Sequence, residues 1–539
     1  MNWLHAQLPV LPVLLPSATA ILLLLLGDHG GHGAAHGHRR LLWARRLSLG
    51  SVLLGLALSA WLVREAAGGE IRAYLVGDWP APFGIALVVD RLGALMLLLT
   101  SLVALPVLWY ATGGWDAHGR YFHAIFQFQL MGLNGAFVTG DLFNLFVFFE
   151  VLLIASYVLM VHGQGVERFR VGLHYVVLNL VASALFLIGV SLLYAKTGTL
   201  NLADLALRVP RVQGPDALLV QASAWLLLVV FGFKAALLPL SLWLPATYAA
   251  ACAPVAALFA IMTKVGVYAI WRVHGVVFGA AAGDSAYAVE LLLLPLALGT
   301  SLVGVLGALA AHTLERLVAW LTVASVGTVL VAVSLFTTTG WSAGMYYMVN
   351  STLVVAGLFL LAELVASQRG DAADRLVPAS PVAQPTLLGV LMLLAAASAA
   401  GLPPLPGFIG KLMLLEASTA HTWQLAVWST VLGVGFLTLI GLARAGSIMF
   451  WHVRADMPGS ANAGGSPKLI GATLLLLAAT VAMSVFAAPI QRYTDAAALQ
   501  LEDREAYARV VLGARGAATE TTRPYTGRVD APATPAAKP

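Results

Sequence analysis

The sequence has little cysteine and little charge, and it lacks the common motifs of soluble enzymes. Cys252 is the only cysteine among 539 residues. A single cysteine excludes an intrachain disulfide, a Cys-x-x-Cys redox pair and a thiolate set for zinc or an iron–sulfur cluster. The sequence contains no P-loop, no G-x-G-x-x-G turn after a strand and no long polar catalytic domain. We therefore expect no cofactor and no catalytic residues, and the energy for any work must come from an ion gradient or a partner protein.

Apolar sequence is what the chain has in excess. Hydrophobic residues make up 60% of it and charged residues only 10%, with a mean hydropathy of +0.87. Apolar runs of about twenty residues, the length that crosses a hydrocarbon core, recur throughout. They predict an all-α polytopic membrane protein with about fourteen transmembrane helices. The predicted spans are 7–26, 47–63, 92–111, 124–140, 142–161, 172–194, 221–238, 254–273, 288–311, 317–336, 344–366, 386–408, 423–450 and 469–489.

Basic residues in the loops indicate the orientation of the chain. The first span lacks the features of a cleaved signal peptide, so we expect it to remain as a helix. With the N-terminus outside, the inside loops hold Arg39, Arg40, Arg45, Arg46, Arg120, Arg168, Arg170, Arg316, Arg369, Arg375, Arg444, Arg454 and Lys468. The outside loops then hold Arg64, Arg72, Arg91, Lys196, Arg208, Arg211 and Arg272. We predict a multi-pass membrane protein with both termini outside, and the pI of about 9.3 gives no sign of nucleic-acid binding.

Four charged side chains lie deep inside apolar stretches: Glu150, Lys234, Lys264 and Lys411. Each costs roughly 2.5–3.5 kcal/mol to insert at a bilayer centre, which favours a polar route through the membrane for ions or protons. Glu150 and Lys264 each lie about ten residues into their spans, so both are expected near the midplane. A purely structural ion pair between Glu150 and Lys234 is the alternative.

Two apolar stretches contain prolines and glycines that must interrupt a helix. A broken helix survives in lipid only where protein or a water-filled cavity satisfies the freed backbone groups, and such breaks are typical of transporters. A lysine lies near each break, which favours a functional role over ordinary proline kinks. The breaks are predicted at Pro239 and Pro245, and at Pro403, Pro404, Pro406 and Gly407.

The two ends of the chain carry weaker signals. A loop with His29, His32, His36 and His38 is either a transition-metal site or a flexible glycine-rich connector. Near the other end, 496–516 is predicted to form a short amphipathic helix and 517–539 a disordered tail rich in Thr, Pro and Ala.

Three motifs resemble the antiporter-like membrane subunits of respiratory complex I and of Mrp-type (Mnh, Pha) multisubunit cation/proton antiporters, most of all the D-type chain of the latter. They are GDLFNLFVFFEVLLIASYVLM, KAALLPLSLWLPATYAAACAPVAALFAIMTKVGVYAIWR and GLPPLPGFIGKLMLLEA, within a similarity that extends from about 80 to 490. The resemblance implies fourteen helices with two inverted five-helix repeats and broken seventh and twelfth helices. It also implies proton transfer by Glu150, Lys234, Lys264 and Lys411.

The same resemblance suggests a domain organisation and a set of partners. The N-terminal helices with the His-rich loop occupy 1–123, the repeats 124–275 and 276–450, the last helix 451–490, and the amphipathic segment with the tail 491–539. The implied partners are Mrp subunits of the A, B, C, E, F and G types, the lipid bilayer, H⁺, and Na⁺ or K⁺.

The sequence departs from the family pattern in its second half. Glu315 stands where lysine is frequent, and Asn350, Ser351 and Val354 stand where histidine and lysine are common. The polar axis there must be bridged by water or use His312 or Glu363 as a relay, although Glu363 could equally be a carboxylate at a helix end.

The sequence leaves three functions open. The first is a non-enzymatic subunit of a secondary active Na⁺(K⁺)/H⁺ antiporter that moves protons along a Glu/Lys/water axis. The second is an antiporter-like membrane subunit of a redox-driven translocase, such as complex I or a membrane-bound hydrogenase. The third is a structural scaffold, in which the buried charges are dispensable.

Overall fold

The computed structural model describes residues 7–27, 35–453 and 464–516, and almost all of them are helical. His29, His32 and the predicted tail 517–539 lie outside the described residues. The helices are α1 (Leu11–Leu26), α2 (Ala35–Ala67), α3 (Arg91–Ala111), α4 (Phe122–Val138), α5 (Leu142–Met160), α6 (Val166–Thr197), α7 (Leu202–Arg208), α8 (Pro215–Ala235), α9 (Trp243–Ala250), α10 (Ala253–Ile270), α11 (Glu290–Leu309), α12 (Leu314–Ser334), α13 (Thr338–Ala366), α14 (Pro385–Ala400), α15 (Pro406–Ala417), α16 (Gln424–Phe450), α17 (Pro467–Val485), α18 (Ala487–Glu502) and α19 (Arg504–Gly516).

The apolar runs form helices because a segment in lipid must satisfy its own backbone hydrogen bonds. Among the described residues, 11 helices are long and apolar enough to cross a membrane, and α1 and α14 are shorter apolar helices. The predicted all-α membrane fold is therefore confirmed. The count of about fourteen spans and the inverted relation between the two repeats stay predictions.

Both predicted helix breaks are present. The helix α8 stops at Ala236, which has a left-handed φ of 61°, and α9 begins only at Trp243. The freed amide of Leu238 in this gap donates to Thr300 Oγ1 at 2.9 Å. The second break follows α14, where Gly401 has a φ of 85° and α15 begins at Pro406. Protein groups thus satisfy part of the interrupted backbone, as the lipid environment requires.

The prolines at these breaks have two different roles. Pro239, Pro403 and Pro404 lie in the non-helical gaps, as predicted. Pro245 lies in the first turn of α9, and Pro406 and Gly407 open α15. The last three residues therefore begin a helix instead of interrupting one, because the first turn needs no intrahelical N–H donor.

Three helices form the interior of the bundle. All of α10 is buried, as is nearly all of α12 and α13. The helix α13 packs against α10, α12, α15, α17 and α18. The outer helices α2, α6 and α16 instead expose apolar side chains, such as Leu173, Ile188 and Phe436. An apolar exterior suits contact with lipid or with other membrane subunits.

A small hairpin marks one face of the bundle, which we call the hairpin face. Its strands β1 (Arg72–Leu75) and β2 (Ala86–Val89) pair antiparallel, with Arg72 opposite Val89 and Leu75 opposite Ala86. The C-terminal helices reach this face, where Arg91 donates to the carbonyl of Ala496 at 3.0 Å. The helix α1 begins at the same face, since Asn134 near the end of α4 donates to the carbonyl of Pro12 at 2.8 Å.

Arg272 departs from the predicted pattern of loop charges. The prediction places it among the bases of the outside loops, but its side chain is buried at the hairpin face and forms an ion pair with Asp90. Its guanidinium also lies over the rings of Tyr268 and Tyr507, at 5.2 and 5.8 Å. A buried, paired arginine holds two parts of the chain together. It therefore gives little information about which side of the membrane a loop faces.

Candidate functional site

The carboxylate of Glu150 lies halfway along α5. Asp141 starts this helix by accepting a hydrogen bond from the amide of Asn144 at 2.9 Å, which sets the register of the turns that follow. Glu150 is half-buried and accepts a hydrogen bond from the hydroxyl of Ser183 on α6. It lies beside Val147 and Ile154, which expose 40% and 61% of their surface. Glu150 thus connects the interior with the outer surface of the bundle.

Lys234 lies in the last turn of α8, at the first helix break. Its Nζ donates to Asn179 Oδ1 of α6 at 2.8 Å and lies 5.8 Å from the centre of the Phe149 ring. It lines a cavity with an empty volume of about 300 Å³, together with Asn179, Trp243 and Met262. Polar and aromatic groups therefore surround the ammonium, although it is buried.

Glu150 and Lys234 do not pair directly within the described chain; each uses a neutral partner on α6. Asn179 and Ser183 are one turn apart on that helix, so their side chains are neighbours on one face. The alternative of a structural Glu150–Lys234 ion pair is therefore wrong for this structure. The arrangement is a short polar chain in which α6 bridges the acid and the lysine.

Lys264 is buried in the centre of α10. Its Nζ has one hydrogen bond in the described part of the chain, to Thr263 Oγ1 at 3.3 Å. Two residues further on, Gly266 packs against the end of α8, and a Cβ atom there would lie 2.5 Å from the amide nitrogen of Ala235 and 2.6 Å from the carbonyl of Phe231. The helices that carry Lys264 and Lys234 are thus in backbone contact beside the break.

Lys411 lies in α15, just after the second helix break. Its Nζ donates to the carbonyl oxygens of Ala400 at 2.7 Å and Ala399 at 3.4 Å, which end α14. A Cβ atom on Gly407 would lie 1.9 Å from the carbonyl oxygen of Ser398, so only glycine lets the first turn of α15 approach α14 this closely. The ammonium therefore satisfies carbonyls that the broken helix leaves free.

The cavity at Lys411 has both apolar and polar walls, and no carboxylate lines it. It has an empty volume of about 430 Å³, and Asn350 accepts a hydrogen bond there from Ser398 at 2.9 Å. The residues that line it include Ser325, Tyr347, Asn350, Ser351, Val354 and Thr438. Three of the four departures noted in the sequence, Asn350, Ser351 and Val354, thus lie together around Lys411.

The two predicted relay residues have different positions. Glu363 lines a cavity with an empty volume of about 860 Å³, which Glu315 also lines, at the end of the bundle opposite the hairpin. Its Oε1 accepts a hydrogen bond from Trp115, whereas its buried Oε2 has no hydrogen-bond partner among the described residues. His312 is exposed in the loop before α12 and does not line this cavity. The structure brings Glu363 and Glu315 together and leaves His312 apart.

Sequence reasoning missed three polar residues. Asn179 and Ser183 escaped notice because their contacts with Lys234 and Glu150 come from tertiary packing. His274 is buried in the helical turn Trp271–Val277 after α10, and both ring nitrogens lack a hydrogen-bond partner among the described residues. It lies in the same apolar run as Lys264, and that position could have identified it.

A separate cluster of charged residues connects α2 with the loop between α3 and α4 by hydrogen bonds and ion pairs. Asp116 receives hydrogen bonds from Arg45 at 2.6 and 2.7 Å and pairs with His123 at 3.0 Å. Burial alone would raise the pKa of Asp116, but these hydrogen bonds and the two positive charges outweigh it, so the pKa lies below its ordinary value. The nearby His162 has a lowered pKa because burial disfavours its charged form. Asp116 and His162 lie in loops outside the spanning helices.

Comparison with known proteins places these features in one family. Residues 139–438 match the family described as NADH:quinone oxidoreductase/Mrp antiporter, TM. This match covers both broken helices and all four buried charges. The chain belongs to this family.

Two curated relatives match nearly the whole chain, and both are named as the D-type chain of an antiporter. The one from the probable K(+)/H(+) antiporter of Rhizobium meliloti is 39% identical, over 96% of this chain and 100% of its own. The one from the Na(+)/H(+) antiporter of Bacillus subtilis is 34% identical, over 93% and 99%.

Two solved structures share the fold. A chain of the Mrp complex from Dietzia sp. DQ12-45-1b aligns with a TM-score of 0.83 and 28% identity, over 95% of this chain and 100% of that one. A chain of respiratory complex I from Thermus thermophilus aligns with a TM-score of 0.73 and 26% identity, over 92% and 99%.

Proposed function

We propose that this chain is the proton-translocating subunit of an Mrp-type multisubunit Na⁺(K⁺)/H⁺ antiporter. Its partners would be the other Mrp subunits, of the A, B, C, E, F and G types, in a bacterial cell membrane with both chain termini outside. The observation that carries the proposal is the polar chain from Glu150 through Ser183 and Asn179 to Lys234, inside an otherwise apolar bundle. The identity of the coupled ions is inferred from the names of the two relatives that match nearly the whole chain.

In this proposal the four buried charges pass protons along the bundle. A proton on Glu150 can reach Lys234 by way of the hydroxyl of Ser183 and water along the face of α6 that also carries Asn179. Lys264 and Lys411 continue the axis, the latter with water among Asn350, Ser351 and the other polar walls of its cavity. Lysine and glutamate suit this role because their protonation responds to neighbouring charge and burial.

The coupled cation is expected to pass elsewhere in the complex. A monovalent cation needs several oxygen ligands to be selected, and one carboxylate is a poor site. Glu150 is half-buried, with exposed apolar neighbours on α5, a position suited to contact with a partner subunit. We therefore propose that the chain carries protons and that partner subunits supply the cation path.

A redox-driven complex is the second candidate, favoured by the similarity to the complex I chain. The described residues are compatible with it, because redox centres would lie in other chains. The proteins that co-purify with the tagged chain discriminate between the two functions.

The test replaces Glu150 with glutamine, which keeps the size and the acceptor for Ser183 but cannot titrate. In vesicles with the whole complex, cation-driven proton exchange should fall at least about 100-fold, as for the loss of a proton-transfer group. Glu290→Gln is the matched control, since Glu290 is exposed at the start of α11. Wild-type exchange by an assembled Glu150→Gln complex would rule out the relay.

The chain alone, reconstituted in liposomes under a Na⁺ or K⁺ gradient, should insert but move no protons in response to the cation. A pH dye inside the liposomes reports this. Robust, Glu150-dependent proton movement by the single chain would contradict the need for partners.

A further inference from the structure

The largest of the cavities described above opens at the end of the bundle opposite the hairpin, which we call the loop face. The loop after α3, the start of α6, the α9–α10 turn, the start of α12 and the end of α13 surround it. Its empty volume of about 860 Å³ is roughly twice that of the Lys411 cavity, at about 430 Å³. A space of this size and polarity holds several water molecules.

Three carboxyl groups line this cavity: that of Glu167 is exposed, whereas those of Glu315 and Glu363 are partly buried and form no direct ion pair within the described chain. Glu363 Oε1 accepts a hydrogen bond from Trp115. The buried Oε2 has no well-formed hydrogen bond within the described chain, and the hydroxyl of Tyr110 lies near this carboxyl. The backbone amide of Glu315 donates to Asp374 at 3.1 Å, and its own carboxyl lines the cavity. A buried carboxylate oxygen without a donor is costly, whereas a proton or a water molecule would satisfy it.

The surrounding charges leave these carboxyls able to exchange protons. Arg168 is the facing cation, but its guanidinium donates to the carbonyls of Ala250, His162 and Gln164 and stacks on Trp115. It moderates the negative charge without pairing with either acid. The other titratable groups around the two carboxyls are Tyr110, His118, Glu167, Cys252 and Asp374.

The helices that hold the two acids also wall the Lys411 cavity. Leu321 on α12 and Leu358 on α13 line that cavity, each within about two turns of Glu315 or Glu363. The axial distance is therefore about 9 Å from Glu315 to Leu321 and about 7.5 Å from Glu363 to Leu358, a length that a few water molecules cover.

We propose that this acidic cavity is the port through which protons pass between the aqueous phase at the loop face and the Lys411 cavity, with Glu363 and Glu315 as the exchanging groups. The inference rests on the proposed function. A hydronium ion at the mouth gives a proton to a carboxylate oxygen and becomes water. The carboxylic acid then passes this proton, by way of water, to the uncharged amine of Lys411 and becomes a carboxylate again. Transport in the opposite direction reverses these two transfers.

The experiment uses the whole complex in vesicles, with Glu315→Gln, Glu363→Gln and the double variant. Exchange should fall about tenfold in the double variant, by the loss of positioned proton-transfer groups. When protons enter from the loop face, the deficit should widen as the pH on that side rises, because a collecting carboxylate matters most when free protons are scarce. Glu363→Asp, which keeps a carboxyl, should retain most of the rate. Glu290→Gln, exposed at the hairpin face, should match wild type at every pH.

The outcomes separate this inference from the proposed function. Wild-type exchange and pH dependence in the double variant, while Glu150→Gln abolishes exchange, would overturn the port alone. Wild-type exchange in Glu150→Gln would overturn the proposed function itself. A deficit equal at every pH would show a merely structural effect and also overturn the port. If Glu363→Gln prevents assembly, Glu315→Gln decides, because its carboxyl accepts no hydrogen bond within the described chain.

Discussion

The two helix breaks of this chain surround a lysine with different chemistry. At the first break, Lys234 donates to the side chain of Asn179, and Ser183, one turn further along α6, donates to an acid, Glu150 of α5. At the second break, Lys411 donates to the backbone carbonyls that end α14, and its cavity has no carboxylate among its walls. In the first region, around Lys234, the surroundings of the lysine are set by side chains and can be changed by substitution. In the second region, around Lys411, the surroundings of the lysine are set by the backbone of α14 and by water in the cavity.

The largest effect is expected from replacing Lys234 or Lys411. These variants test whether each lysine must release a proton during transport. Lys234→Ala and Lys411→Ala should each lower cation/proton exchange at least about 100-fold, because each removes a proton carrier. Lys411→Arg should fail as well, since a guanidinium stays protonated in proteins. Exchange is measured in vesicles with equal amounts of assembled complex.

The arginine variant carries the sharper result. An active Lys411→Arg complex would show that the second region needs only a fixed positive charge to satisfy the carbonyls of α14. Lys411 would then be a structural counter-charge, and only the first region would carry protons.

A smaller effect on exchange is expected from replacing Asn350, a polar residue that lines the Lys411 cavity. Asn350→Leu removes the acceptor for Ser398 and makes the Lys411 cavity more apolar, so water should leave it. Exchange should fall about tenfold, which corresponds to about 1.4 kcal/mol. Asn134→Leu is the control, because Asn134 ties α4 to α1 away from the lysines. Unchanged exchange in Asn350→Leu would mean that the second region does not depend on water there.

The smallest effect on transport is expected from a buried charge outside both regions. Asp116→Asn breaks the contacts with Arg45 and His123 and should destabilise the protein by about 3 kcal/mol, with exchange per assembled complex unchanged. The pKa of Asp116 is lowered, so its stabilisation is complete above the unfolded value of about 3.9 and is lost as the pH falls through the folded value.

Thermal unfolding of detergent-solubilised wild type and Asp116→Asn checks this prediction. The gap in Tm should persist at neutral pH and close in strong acid. Equal stability at neutral pH would show that the cluster contributes nothing, and a loss of exchange would place Asp116 on the transport path.

The membrane fold and the breaks were accessible from the sequence, because apolar length and proline position act locally. The helix ends around Ala236 and Gly401 follow directly from residues that cannot continue a helix in lipid. The contacts of the charged groups were not accessible, since Asn179 and Ser183 come from a different helix and look ordinary in the sequence. The burial of Arg272 was missed for the same reason: its partner Asp90 is 182 residues away.

The close contact at Gly266 has a mechanical consequence. Since the backbones of α8 and α10 touch there, any side chain at this position would push apart the two helices that carry Lys234 and Lys264. The contact therefore fixes the spacing of the backbones that carry the two lysines, and any change in the distance between their ammonium groups must come from the side chains. This tight packing lies directly beside the end of α8 at Ala236, so the helix is interrupted at the point where its last turn is held against α10.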